Sequence, residues 1–244
     1  LPHYVEDAQL IKANSIVETV TQLLQIGAWL FGGLLLLLLS PNWLILIVCG
    51  FFLVSTILTW LLEDVSHEEN EKDTLWNQFS EGWISIKKTP VLKKIMLMDI
   101  LETIAGAVWI AAILYIYVET ALHEGEQWWG FINGAFFIGL LVGSIICMKY
   151  STVTDTYKQY FIGYGAFISG ILTILFGSIS FPLLAIILSV GIGLTSQLKN
   201  IPQQTIIKRS VTKEKLLSVY TSLSTVGTGL FGMSSLAIGI AVDL

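Results

Sequence analysis

Asp99 and Glu102 stand three residues apart inside an apolar run, so a helix there would carry both carboxyls on one face. Glu102 lies about 12 Å of helix beyond Lys94. The same face continues through Gly106 to Trp109. An acid, a gap and a flat aromatic suit a cation or an aromatic molecule. An ionisable group at the centre of a membrane span costs about 2.5–3.5 kcal/mol, so its presence calls for a use. For Glu102 that use is proton exchange or substrate contact, against the structural alternative of an interhelical hydrogen bond made while protonated. For Asp99 the alternative is a place at the headgroups beside Lys93 and Lys94.

Glu18, Gln22, Gln25 and Trp29 form a second set, with the spacing of one helical face. A polar stripe on a spanning helix faces protein or water rather than lipid. It would either wall a cavity or hold helices together. Asn133 and Gln197 are weaker candidates of the same kind. Nothing resembles an enzyme centre: there is no nucleophile–histidine–acid set and no phosphate-binding loop. His3, His67 and His123 fall in polar loops, two on one side and one on the other, and neither Cys49 nor Cys147 has metal-ligand spacing to them. The expectation is no enzymatic activity, no cofactor and no metal.

The elements that must position these residues follow from composition. Of 244 residues, 54% are hydrophobic and only 13% charged, against about 25% charged in soluble domains. So little charge could not cover a soluble surface, which makes lipid the solvent. Seven runs are long enough to cross it: roughly 15–39, 43–62, 95–118, 128–148, 159–177, 181–198 and 216–242. The separators "SPN", "HEGEQ" and "SISFP" have turn composition. All 13 Lys and Arg residues then fall in links on one side, and those links belong in the cytosol. The N-terminus of the chain is accordingly cytoplasmic. Net charge of −5 argues against nucleic acid. The long link 63–94 contains Leu75, Phe79, Trp83 and Ile86 at helical spacing beside Lys87 and Lys88, the pattern of an amphipathic helix on the inner membrane face, with a solvated linker as the alternative.

"GAWLFG" at 27–32 returns as "GTGLFG" at 227–232. A shift of 200 also superposes Pro2 on Pro202, Thr21 on Thr221, Leu23 on Leu223 and Leu36 on Leu236. Five spans lie between the two copies, so the period is six. Six-span parallel repeats build the two halves of the major facilitator fold. The segments "LPHYVEDAQLIKANSIVETVTQLLQIGAWLFGG", "EGWISIKKTPVLKKIMLMD" and "IPQQTIIKRSVTKEKLLSVYTSL" resemble major facilitator exporters, in particular the macrolide-efflux and siderophore-exporter branch. That resemblance covers nearly the whole chain and implies an all-α membrane protein with a partial major facilitator superfamily fold. Seven of twelve transmembrane helices would be present, helices five to eleven. Residues 1–62 would close the N-terminal half, 63–94 form the central cytoplasmic loop, and 95–244 belong to the C-terminal half. Two departures bear on coupling more than on fold. Where drug antiporters carry Gly-Pro-x-x-Gly-Gly, this chain has Ala28 for Pro and Phe31 for one Gly. The turn "GSIICMKYSTVTD" keeps Gly143, Lys149 and Asp155 of a basic, Gly-rich signature.

The resemblance implies a monomeric secondary transporter of the plasma membrane that exports amphipathic small molecules in exchange for protons. Its partners would be substrate, protons and membrane lipid. Two alternatives stay open, an importer of the same fold and a non-transporting scaffold or sensor.

Overall fold

The computed structural model describes residues 9–38, 41–61, 75–106, 111–125 and 127–242. Within them the regular structure is helical. The elements are α1 (Leu10–Leu38), α2 (Pro41–Trp60), α3 (Leu75–Lys88), α4 (Pro90–Gly106), α5 (Ala111–Thr120), α6 (Gln127–Lys149), α7 (Ser151–Thr156), α8 (Lys158–Ser178), α9 (Pro182–Ser210) and α10 (Lys213–Val242). Over the described residues each of the seven apolar runs lies on helix but for Leu61 and Phe181, the third falling on α4 and α5. Residues 107–110, and with them Trp109, lie outside the described residues. Among the described residues α6, α8 and α9 are each long and apolar enough to cross a membrane by themselves.

The bundle is organised on α9, which contributes to three separate apolar clusters. Ala185, Leu188 and Ile192 pack with Leu114, Val118 and Leu122 from α5 and its following turn, Ile132 of α6 and Phe176 of α8. Ile201 meets Ile11 of α1 and Cys147 of α6. Ile207 meets Ile86 of α3, Leu92 and Ile95 of α4 and Val219 of α10. A helix contacted by several others needs small residues where backbones approach. A Cβ on Gly139 would sit 2.1 Å from the carbonyl oxygen of Val190, and one on Gly193 2.1 Å from that of Phe136. Bare α-carbons therefore let α6 and α9 touch. Of the two GxxxG spacings on α6, Gly139 and Gly143 face this contact, while Gly130 and Gly134 meet open space.

The Tyr117 hydroxyl lies 2.7 Å from the carbonyl oxygen of Phe176 and 2.8 Å from that of Ile179. It thereby ties α5 to the C-terminal end of α8. At the other end, α3 forms where the periodicity of Phe79, Trp83 and Ile86 predicts it. It packs on α10. A Cβ on Gly82 would fall 1.9 Å from the Ser218 carbonyl oxygen, and the Ser222 hydroxyl donates to the Phe79 carbonyl at 2.8 Å. By contrast, the described side chains of α2 are exposed along nearly its whole length.

Candidate functional site

Sequence spacing places Lys199 in a link; the fold places it in the protein interior. The sixth apolar run ends at 198, yet α9 runs on unbroken through Pro202 to Ser210. Proline removes one amide donor, which frees the carbonyl of Leu198 without ending the helix. Lys199, only 4% exposed, therefore lies inside the bundle. It is the correction to the assignment of all thirteen cations to loops.

Lys199 Nζ donates to Glu102 Oε2 of α4, forming an ion pair. One turn away, Gln203 Nε2 donates to Asp99 Oδ1 at 2.6 Å. The spacing of three on α4 answers the spacing of four on α9, and the helices run antiparallel, so the contacts stack as two rungs. The pair is lopsided. The Lys199 side chain is 6% exposed and that of Glu102 is 40% exposed, so the cation is sealed while the carboxylate opens onto space. That space is a cavity of about 430 Å³ bordered by Asp99, Glu102, Thr103 and Gln204 on one side and by Tyr220 and Ser224 of α10 on the other. Tyr220 donates its hydroxyl to Gln204 Oε1 at 2.6 Å. Gly165 of α8 closes the far side of Lys199: a Cβ there would stand 3.0 Å from the Lys199 Cβ.

A second polar group lies where α1 crosses α6 and α9. Gln197 Nε2 donates to Ser144 Oγ at 2.9 Å and reaches Glu18 Oε2 at 3.3 Å. Gly143 makes that reach possible, because a Cβ there would come within 2.8 Å of the Gln197 Cβ. Asn14 donates to Thr205 Oγ1 at 2.9 Å and accepts from Lys208 Nζ. Gln22 is buried next along the stripe, whereas Gln25 is exposed. The side chain of Trp29 lies outside the described residues. Asn133 stands apart on α6 and donates to the carbonyl of Trp129 at 2.8 Å.

At the end of α9, Arg209 grips Asp155 of α7 through both carboxylate oxygens, at 2.6 and 3.2 Å, and Lys158 adds a contact at 3.1 Å. The hydrogen-bonded guanidinium holds the Asp155 carboxyl below the usual aspartate range against the opposing effect of burial.

The structure thus joins Asp99 with Glu102 and Glu18 with Gln197. It adds Lys199, Gln203, Gln204 and Tyr220, which sequence reasoning missed. A signal was available: Lys199 and Gln203 share a helical face, but only if the helix is allowed to run through Pro202. Among the described residues no group of three or more His, Cys, Asp or Glu side chains is placed to hold a metal.

Apolar spanning helices around paired interior charges define a multi-pass membrane protein. The profile of the Major Facilitator Superfamily matches residues 1–240, and the chain belongs to that family. It is similar to three proteins of Bacillus subtilis (strain 168), each described as an uncharacterized MFS-type transporter. YfmI is 33% identical over 96% of this chain and 58% of its own length. YjbB is 29% identical over 100% and 60%, and YvqJ 24% identical over 90% and 53%. The chain therefore spans somewhat over half the length of these relatives. No solved structure matches it.

Proposed function

We propose that this chain is part of a secondary active transporter of the bacterial plasma membrane that exports amphipathic small molecules of macrolide or siderophore type by proton antiport. The observation that carries the reading is the Glu102–Lys199 pair, set beside Asp99–Gln203 on a cavity of about 430 Å³. That volume lies within the range that holds a drug-sized ligand. Residues 1–62 and 95–244 belong to two lobes joined by 63–94, which rock about a midplane site. Glu102 takes up the proton, because its carboxylate and not the Lys199 ammonium faces the cavity. Protonation removes the negative charge that holds Lys199, and the freed cation changes the electrostatics of the site before substrate returns. Asp99 keeps an acceptor toward substrate, with Gln203 fixing its orientation. Gln22, Gln25, Trp109 and Asn133 are proposed substrate contacts supported by helical face alone. The lysine-rich links lie in the cytosol, and the protein works as a monomer.

Dye efflux from cells carrying the full-length protein tests the reading. Glu102→Gln abolishes gradient-driven efflux while the protein remains in the membrane. Unchanged efflux removes Glu102 from the mechanism.

A further inference from the structure

The 430 Å³ cavity has a small neighbour. About 60 Å³ is enclosed by Asn14, Val17 and Glu18 of α1 and by Ile201, Gln204 and Lys208 of α9. Gln204 borders both spaces, and its Oε1 is held on the larger side by the Tyr220 hydroxyl. The small space is too narrow for substrate but has room for water, which needs roughly 10–15 Å³ of such volume and two to four polar partners. Asn14, Glu18, Gln204 and Lys208 supply them.

Glu102 and Glu18 differ in how they are held. Glu102 is bound by an ammonium. Glu18 has one neutral amide contact, Gln197 at 3.3 Å, and an open polar space on its other side. The charged group facing it from α9 is Lys208, which Asn14 Oδ1 also engages. From α6 the nearby groups are the neutral Ser144 and the buried thiol of Cys147. Farther along, Arg209 is engaged by Asp155 of α7. A carboxylate with one weak hydrogen bond, access to water and an ammonium facing it across that water is placed to exchange protons with the small cavity.

We infer that Glu18 is a second proton-exchanging carboxyl, hydrated through the small cavity between α1 and α9, and that Gln204 links its state to the Asp99–Glu102 cavity. The use of this link in transport rests on the proton-coupled reading above; the protonation itself does not.

Infrared difference titration of the purified full-length protein in liposomes tests it without substrate or direction. The carbonyl band of a protonated carboxyl grows as pH falls, and Glu18→Gln removes part of it while Glu102→Gln leaves that part in place. A pH-difference spectrum identical in wild type and Glu18→Gln overturns the proposal. Glu102→Gln also shifts the midpoint of the Glu18 band when Gln204 is present and loses that shift in a Gln204→Leu background; an equal shift in both backgrounds overturns the role of Gln204. Should Glu18→Gln fail to fold, a cysteine in place of the buried, cavity-lining Asn14 (Asn14→Cys), in a background with Cys49 and Cys147 replaced by Ala, gives an independent reading. Reaction with a small water-soluble thiol reagent supports a hydrated cavity, and no reaction overturns it. Failure of these tests leaves gradient-driven efflux untouched, and failure of efflux leaves them standing.

Discussion

Burial within the Glu102–Lys199 pair is unequal, and that inequality sets the cost of breaking it from either side. Glu102→Gln strands an ammonium that is 6% exposed, whereas Lys199→Met strands a carboxylate that is 40% exposed and can be solvated from the cavity. Orphaning a buried charge costs about 3–5 kcal/mol, and a charge that water can reach costs less. Thermal unfolding in detergent should therefore show the larger loss for Glu102→Gln, with the double variant recovering most of it. Equal losses would mean that both charges are equally solvated. Asp155 gives a pH prediction. Its folded-state carboxyl is held below the ordinary value of about 3.9, so its contact with Arg209 stabilises the fold fully above that value. The contribution is lost as pH falls through the lower folded-state value. Asp155→Asn should flatten this acid limb of the stability profile and leave the neutral region merely lowered.

Close approach of helices is the theme at the scale of elements. Gly139 and Gly193 have backbone oxygens of the facing helix 2.1 Å from where a Cβ would be. Overpacking of this kind costs about 1–3 kcal/mol or more, since backbone rather than a flexible side chain must move. Gly139→Ala and Gly193→Ala should each lower the unfolding temperature. Gly130→Ala and Gly134→Ala, with open space around them, should leave it unchanged or raise it, because alanine favours helix over glycine by about 1 kcal/mol. Gly130, Gly134 and Gly139 all belong to GxxxG spacings on α6 and differ in what stands opposite. The same holds for Gly82, whose contact with Ser218 explains why α3 is held by α10. Its amphipathic pattern was legible beforehand; the partner for its apolar face was not.

For the molecule as a whole, the distribution of charge makes the sharpest prediction. The end of α5 and the turn after it carry Glu119 and Glu124 without a lysine or arginine, while the segment from the end of α6 to the start of α8 carries Lys149 and Lys158. A single cysteine at Glu124 in otherwise cysteine-free protein should react with an impermeant reagent outside intact cells. One at Lys158 should react only after the membrane is opened. The reverse result would invert the proposed orientation and the direction of every proton step.

Seven apolar runs, the family and the choice of Asp99, Glu102 and Glu18 as candidates were legible in local properties of the chain. Apolar length, the scarcity of charge and the side to which cations fall depend on transfer from water to lipid, residue by residue, and need no knowledge of neighbours. Which carboxylate is paired, and with what, needed the fold. Lys199 looks like a loop cation because it directly follows the apolar run ending at 198 and Lys208, Arg209, Lys213 and Lys215 come after it, yet α9 tolerates the amide missing at Pro202 and carries the lysine inward. Gln197 reaches Ser144 and Glu18 only because Gly143 leaves it room. Contacts between residues nearly two hundred positions apart depend on how helices cross, and the crossing is decided by packing across the whole bundle rather than by any one segment.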